Sequence, residues 1–206
     1  MGWFKKSSIR RGGGLLIAVL VLAFGVYAFF SWNQAFNFFE KNNKSALLKD
    51  AGYISAEIDG FISKYITVVD TMSVNPDTIK LFNELDDKYK KRENPLYKSI
   101  TEYFKEIKQL DDNVALVYIA FLSSTSGGDL VTDMYDYDAK DNYNLRERPW
   151  YKESVKNGNT TVTNPYIDYV TDRPVISIAK PYYVDGKAKG AFAIDVMIDD
   201  IYKMMG

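Results

Sequence analysis

The chain has 206 residues, a formal net charge of −1, no cysteine and no histidine. The near-neutral charge argues against nucleic-acid binding, which needs a basic surface to displace counterions. The missing residue types exclude disulfides, thiol catalysis, histidine general bases and histidine-ligated metals.

The first predicted element is an apolar segment, residues 12–32, which contains no charged residue. It is long enough, at about 20 residues, to cross the ~30 Å of hydrocarbon in a bilayer. Basic residues precede it: Lys5, Lys6, Arg10 and Arg11. The positive-inside rule therefore places residues 1–11 in the cytoplasm and the chain after residue 32 outside it. A cleaved signal peptide is the alternative, with a cleavage motif at 26–28, but the length of the apolar run favours a transmembrane anchor.

Residues 33–112 are predicted to form a long helix that emerges from the membrane, followed by shorter helices. Apolar residues recur at steps of three and four along the long helix, which gives one apolar stripe. The stripe consists of Leu47, Ala51, Ile54, Ile58, Phe61, Tyr65, Val69 and Met72. Its spacing fits a coiled-coil homodimer and equally fits a helix that covers a sheet of the same chain, so both interpretations stay open.

The shorter helices are marked by two Asn-Pro pairs, each of which ends one helix and starts the next. Asn75-Pro76 introduces a predicted helix over 78–91. Asn94-Pro95 introduces another, with apolar residues on one face between Tyr97 and Leu110.

Residues 113–206 are predicted to form a sheet module. A β-branched and aromatic run over 114–124 reads as a central strand, and 129–136 follows it as a hairpin partner across a turn at 126–128. A short helix starts at Pro149 and ends at Asn157-Gly158. Three further strands are predicted over 160–170, 174–184 and 190–198. The fold class is therefore α+β, with one antiparallel sheet of about five strands and flanking helices.

The stretch DNYNLRERPWYKE, residues 141–153, carries the residue types that bind a carboxylate. Arg148 is a planar bidentate donor, and Trp150, Tyr143 and Tyr151 add indole and phenol groups around it. Each of these residues alone has an ordinary alternative, such as a core aromatic or a solvated surface arginine. Together they favour a binding surface.

Three later residues have the chemistry that an ammonium group needs. Tyr166 and Asp168 are two positions apart on a predicted strand and therefore share a face. Asp195 is an acid in the middle of an apolar strand, where an unpartnered carboxylate is costly. An amino acid, with one group of each sign, suits both sets of residues.

This pattern resembles the Cache sensor domains, which are PAS-like, and especially the double-Cache type of bacterial methyl-accepting chemotaxis proteins. The amino-acid-binding subset of that family has a spaced motif of aromatic, Arg, Trp, aromatic, Tyr and two acids. The matching residues here are Tyr143, Arg148, Trp150, Tyr151, Tyr166, Asp168 and Asp195.

The resemblance implies one set of residues for the ligand carboxylate: Tyr143, Arg148 and Trp150. It implies another set for the ligand ammonium: Tyr166, Asp168 and Asp195. Tyr151 would close the pocket wall. It also implies a sensor in the inner (plasma) membrane that forms a homodimer through the long helix, has no cofactor and is not an enzyme. The chain departs from the family pattern in ending at residue 206, before a second, membrane-proximal module or an output domain.

Other functions remain open from the sequence. A receptor for amines would lack the arginine that meets a carboxylate, so Arg148 favours an amino acid. The same sensor could serve a histidine kinase or a cyclic-dinucleotide enzyme, because such modules are found on many outputs. A glycosidase using Asp168 and Asp195 is disfavoured, since Arg148 would oppose a raised pKa of the acid. A structural or adhesive membrane protein is the last alternative.

Overall fold

The computed structural model describes residues 4–85, 87–124, 128–168, 172–199 and 201–202, with side chains from residue 17 onward. It divides into two compact units, Met1–Ser55 and Ala56–Gly206. Residues 4–55 of the first unit belong to helix α1 (Phe4–Val74). All its described side chains from 17 to 53 are exposed. By length and composition, α1 contains a segment near the N-terminus that is apolar enough to cross a membrane.

The second unit includes the last turns of α1, where the predicted apolar stripe becomes buried. Tyr65, Val69 and Met72 are fully enclosed in the core. At this end the helix packs against the sheet of its own chain, which is what one of the two interpretations predicted. Leu47 and Ala51, in the first unit, are exposed, and their pairing with a second copy stays a prediction.

The predicted helix over 78–91 is wrong in its second half. Helix α2 (Pro76–Glu84) begins where expected, with the Asn75 side chain capping its first turn, but Leu85 is extended. A separate 3-10 helix, Lys88–Glu93, follows. Two of its lysines, Lys88 and Lys91, are buried and donate to backbone carbonyls of the 131–139 region. These long-range bonds explain why a continuous α-helix does not form here.

Helix α3 (Pro95–Gln109) confirms the second Asn-Pro start, with the Asn94 side chain accepting a hydrogen bond from Leu96 N. Helix α4 (Pro149–Asn157) starts at the predicted proline and ends at Gly158, whose φ of 67° is the left-handed conformation that glycine adopts without strain.

Among the described residues the sheet has six antiparallel strands, in agreement with the prediction of about five. They are β1 (Val114–Phe121), β2 (Leu130–Asp133), β3 (Thr161–Val162), β4 (Tyr166–Ile167), β5 (Pro174–Val184) and β6 (Lys187–Met197). The order is β2-β1-β6-β5-β3, and β4 also pairs with β5. The predicted strand 160–170 is divided into β3 and β4 around Pro165, which cannot donate to a strand ladder. Ser126 and Gly127 of the predicted turn, and residues 169–170 of this strand, lie outside the described residues.

One side of the sheet, called here the packed face, is apolar and covered by helices. It is formed by alternate strand residues that include Val117, Ile119, Phe121, Phe192 and Ile194, all nearly or fully inaccessible to solvent. The ring of Phe82 from α2 lies 4.3 Å from that of Phe121 and 5.3 Å from that of Phe192.

Gly190 lies on the packed face at a point of close approach. A Cβ there would come within 2.0 Å of Ala120 O and 2.4 Å of the Phe82 ring. Only glycine allows β6, β1 and α2 to meet at this distance.

Candidate ligand-binding site

A cavity of about 520 Å³ lies on the opposite side of the sheet. This volume falls within the range of small-molecule sites, roughly 300–1,000 Å³. The lining residues are Leu116, Tyr118, Val131, Asp133, Tyr137, Tyr143, Arg148, Pro149, Trp150, Tyr166, Ile167, Asp168, Asp172 and Asp195.

The strand register explains why polar residues gather on this side, called here the site face. Residues directly opposite each other in a pair of strands point to the same face. Tyr118 is opposite Asp133 across β1 and β2, and Leu116 is opposite Asp195 across β1 and β6. Ser177 of β5 is opposite Asp195 in turn. The alternation that places Val117 and Ile119 on the packed face therefore places Leu116 and Tyr118 on the site face, where both line the cavity.

Six of the seven residues predicted for the site line this cavity: Tyr143, Arg148, Trp150, Tyr166, Asp168 and Asp195. Tyr151 is not among the lining residues of the described chain. It follows Trp150 on α4, and successive helix residues point about 100° apart. The Tyr151 ring is buried in the core, nearly perpendicular to that of Trp150. The structure places Tyr151 outside the described cavity lining, and its role in closing the pocket wall stays a prediction.

The acidic end of the cavity is centred on Asp195, whose carboxylate is almost completely buried. Ser177 Oγ and Tyr118 OH both donate to Asp195 Oδ1, the latter at 3.2 Å. Tyr166 OH lies 2.6 Å from Ser177 Oγ and extends this network to β4. A single carboxylate is thus held in place by hydroxyl groups from β1 and β5.

Burial raises the pKa of Asp195 to about 7, and the nearby charge of Asp168 acts in the same direction. The hydrogen bonds from Ser177 and Tyr118 oppose this rise. Burial also raises the pKa of Tyr118 far above its ordinary value, so its hydroxyl remains a donor to Asp195. A cation that enters the cavity would lower the free energy of the ionised form of this carboxylate.

The basic end of the cavity is formed by Arg148 at the start of α4. Its guanidinium carbon lies 4.5 Å from the centre of the Tyr143 ring, a cation–π arrangement. Burial raises the pKa of Tyr143 to about 12, while the charge and hydrogen bond of Arg148 lower it and the charge of Asp195 raises it. Tyr143 therefore experiences the charges of both ends of the cavity.

Trp150 completes the wall beside Arg148. Its ring packs edge-on against Tyr118, with 5.3 Å between ring centres. This contact places the first turn of α4 against the site face. Arg148 is the N-cap residue, and within the described chain its side chain makes no capping hydrogen bond. The positive end of the α4 dipole and the guanidinium thus act together, and both favour an anion.

Sequence reasoning missed Tyr118, Ser177 and Asp133. Tyr118 lies in a strand whose residues are all buried, so its local sequence does not distinguish it from a core aromatic. Side chains alternate between the two faces of a strand, so aligning the predicted strands against each other would have placed Tyr118 on the same face as Asp195. Among the described residues, no group of three or more acids is arranged to hold a metal ion.

Comparison with known proteins gives a consistent result. Residues 71–203 match the family described as "Methyl-accepting chemotaxis protein-like, first PDC sensor domain". The chain is 40% identical over 103 residues to the methyl-accepting chemotaxis protein TlpA of Bacillus subtilis, covering 50% of this chain and 14% of that protein. It is 25% identical over 201 residues to TlpB of the same organism, covering 97% of this chain and 28% of that protein. The chain therefore spans less than a third of either receptor.

Solved structures share the fold. The ligand-binding domain of the Pseudomonas aeruginosa chemoreceptor PctC in complex with GABA matches with a TM-score of 0.55 and 19% identity, covering 80% of this chain and 68% of that one. The corresponding domain of the Pseudomonas fluorescens chemoreceptor CtaA in complex with L-serine matches with a TM-score of 0.52 and 21% identity, covering 74% and 58%.

Proposed function

Since the chain belongs to the family of methyl-accepting chemotaxis protein-like first PDC sensor domains, we propose that its cavity binds an L-α-amino acid as the input of a chemoreceptor. The observation that carries this proposal is the presence of opposite charges at two ends of one cavity, Arg148 at one and Asp195 with Asp168 at the other. An α-amino acid presents a carboxylate and an ammonium to match them.

The carboxylate of the ligand would bind at Arg148. A guanidinium makes two parallel hydrogen bonds to a carboxylate, and the α4 N-terminus adds its dipole. The Trp150 indole and the Tyr143 hydroxyl, which also line this end, supply further donors. A cation without a carboxylate would leave these donors unused.

The ammonium would bind at the carboxylates of Asp195 and Asp168, with the Tyr166 ring beside them. Asp195 is held rigidly by Ser177 and Tyr118, and its pKa of about 7 means that an arriving ammonium would displace its proton near neutral pH. GABA and L-serine, the ligands bound to PctC and CtaA, both carry an amine and a carboxylate, which supports this class of ligand.

The place of the sensor in the cell is part of the same proposal. The apolar segment 12–32 would anchor the chain in the cytoplasmic membrane with residues 1–11 inside, and the sheet module 113–206 would lie outside. Helix α1 connects the two units and would carry the signal, and a second copy would pair along its exposed residues near Leu47 and Ala51. A second, membrane-proximal module of the double-Cache type and the output domain would follow residue 206. The chemotaxis relatives favour a chemotaxis output over a kinase or a cyclic-dinucleotide enzyme.

The test is isothermal titration calorimetry on the full chain in detergent micelles, with the twenty L-amino acids, GABA and simple amines as ligands. At least one L-α-amino acid is expected to bind. Arg148→Gln and Asp195→Asn should each weaken it about 30-fold or more, because each leaves a buried charged partner unpaired.

Two matched variants control for general effects. Arg146→Gln removes an exposed arginine two residues from Arg148, and Asp185→Asn changes an exposed aspartate in the β5–β6 turn. Both lie outside the cavity lining, and both should leave affinity within about twofold. A folded chain that binds no amino acid, or that binds amines equally well with and without Arg148, would contradict the proposal.

A further inference from the structure

We propose that the cavity contains a second cation subsite at Asp133, and that the ligand is therefore a basic amino acid such as L-lysine, L-ornithine or L-arginine. This inference rests on the proposed function, because it assigns the position of the ligand side chain. It goes beyond the Arg148 and Asp195 ends, which fix only the groups that all α-amino acids share.

The first observation is an unsatisfied carboxylate oxygen. Asp133 ends β2, lines the cavity and is fully buried. Its Oδ1 accepts hydrogen bonds from Tyr135 N at 2.9 Å and Tyr137 N at 3.0 Å. Its Oδ2 is buried, and within the described residues no hydrogen-bond partner reaches it. A buried acceptor without a donor is costly, and native structures contain few of them.

The second observation is the position of Asp133 relative to Asp195. Both are on the site face, on β2 and β6, with β1 between them. Their partners on β1 are Tyr118 and Leu116, two residues apart. Strand spacing of about 4.8 Å and a rise of about 3.4 Å per residue place the two backbones about 12 Å apart. In lysine or arginine, the extended side chain is long enough for the α-ammonium to contact one of these carboxylates while the side-chain cation contacts the other. The side chains of alanine and serine are too short.

The third observation is the charge balance of the cavity. Among the described residues, its lining includes four carboxyl groups, those of Asp133, Asp168, Asp172 and Asp195, and one cationic side chain, that of Arg148. A zwitterion with no net charge would leave this excess in place. An amino acid with a second cation carries a net charge of +1 and offsets part of it.

The surroundings of Asp133 fit the side chain of such a ligand. Leu116 and Val131 line the cavity near it and offer apolar contact to methylene groups. Burial raises the pKa of Asp133, and the charge of Asp136 adds to this. The hydrogen bonds from Tyr137 and Tyr135 and the ammonium of Lys91 oppose the rise. Lys91 pairs with Asp138 at 2.9 Å, so its charge is shared with a second acid.

Asp133 also has a structural role, since its Oδ1 holds the turn that follows β2. The Asp133→Asn variant separates the two roles, because an amide retains Oδ1 as an acceptor and replaces only the unpaired oxygen. The ligands for the test are L-lysine, L-norleucine, which lacks the terminal ammonium, cadaverine, which lacks the carboxylate, and L-glutamine. Affinities are measured by calorimetry on the full chain in micelles, with Asp185→Asn as the control variant.

The expected result is that the unmodified chain binds L-lysine about 30-fold or more tightly than L-norleucine, as a buried charge pair requires. In Asp133→Asn this preference should shrink to about threefold or less while L-norleucine affinity is unchanged. Asp185→Asn should retain the preference.

Three outcomes would overturn the subsite. L-Norleucine could bind as tightly as L-lysine while Arg148→Gln still weakens it, in which case the proposed function stands and only the subsite fails. L-Glutamine could be preferred over both, which would make Asp133 a neutral donor. No α-amino acid could bind at all, which would remove the proposed function together with the subsite. Cadaverine binding as tightly as L-lysine would instead contradict the proposed function alone, because the carboxylate would contribute nothing while both cation subsites would remain.

Discussion

The packed face and the site face of the sheet are built from alternate residues of the same strands, yet they meet opposite requirements. On the packed face, the Phe82 ring of α2 packs against the rings of Phe121 and Phe192. On the site face, Asp195 and Asp133 are buried as deeply as any core residue. Buried apolar groups stabilise the fold, whereas buried acids without cations destabilise it. The comparison shows that apolar packing on one face of the sheet offsets the destabilising effect of the buried acids on the other face.

The largest effect on stability is expected on the packed face. Phe192→Ala removes a fully buried ring from contact with Phe82 and Tyr182, and should lower the free energy of unfolding by roughly 3–5 kcal/mol. Urea unfolding followed by circular dichroism measures this. Affinity for the amino acid, measured where the variant is folded, should be unchanged because the ring points away from the cavity. A loss below about 1 kcal/mol would show that the packed face does not carry the stability assigned to it.

The second prediction concerns Asp195, three residues after Phe192 on β6 and on the site face, where a substitution should raise the free energy of unfolding. Asp195→Asn should abolish tight binding and yet stabilise the ligand-free chain above pH 7. The pKa of Asp195 is about 7 in the folded chain against 3.8 for an ordinary aspartate. The folded state therefore binds the proton more tightly than the unfolded state, and stability is lost as pH rises from about 4 to about 7.

Asparagine does not ionise, so the variant should not lose stability in that pH range. At pH 8 its free energy of unfolding should exceed that of the unmodified chain by roughly 4 kcal/mol, the equivalent of about three pKa units. Urea unfolding at pH 5 and pH 8, without ligand, provides the measurement. Equal pH dependence in the two proteins would mean that Asp195 does not carry the shifted pKa.

The two faces also differ in how much of them could be predicted from sequence. The strands of the packed face and the helix starts at Asn75-Pro76 and Asn94-Pro95 follow from local patterns, and both were confirmed. The interruption of the predicted 78–91 helix was missed because Lys88 and Lys91 are fixed by carbonyls some 40 to 50 residues away in sequence. The spacing of apolar residues within one segment contains no information about such long-range contacts.

The site face was predicted where its residues are chemically conspicuous. Arg148, Trp150 and Asp195 stand out in their segments, and all three line the cavity. Tyr118 and Ser177 were missed because a tyrosine or a serine within a buried strand is usual, and their role depends on strand register. Tyr151 lies outside the described cavity lining, which the motif could not indicate, since it gives a residue's position along the chain but not its direction on α4.

The smallest predicted effect tests whether the network on the site face tunes Asp195. Tyr118→Phe removes the hydroxyl that donates to Asp195 Oδ1 at 3.2 Å, while its ring can keep the packing against Trp150. Loss of one hydrogen bond should cost about 1 kcal/mol. Because that bond favours the ionised carboxylate, its loss should raise the pKa of Asp195 by about 0.7 units.

Binding of an ammonium requires ionised Asp195, so affinity for the amino acid should rise with pH and level off above about pH 7. In Tyr118→Phe the same curve should be displaced to higher pH, and at pH 7 the affinity should fall about threefold. The groups that face Asp195 are Tyr118 on β1, Ser177 on β5, Tyr166 on β4 and Asp168 after it. Tyr118, Tyr166 and Asp168 all line the cavity. Tyr166 and Asp168 are the contacts proposed for the ammonium, so Tyr118 and Ser177 are the positions at which the network can be changed without removing one of those contacts. A curve that keeps its midpoint in Tyr118→Phe but drops uniformly at every pH would show that Tyr118 contacts the ligand directly and does not act through Asp195.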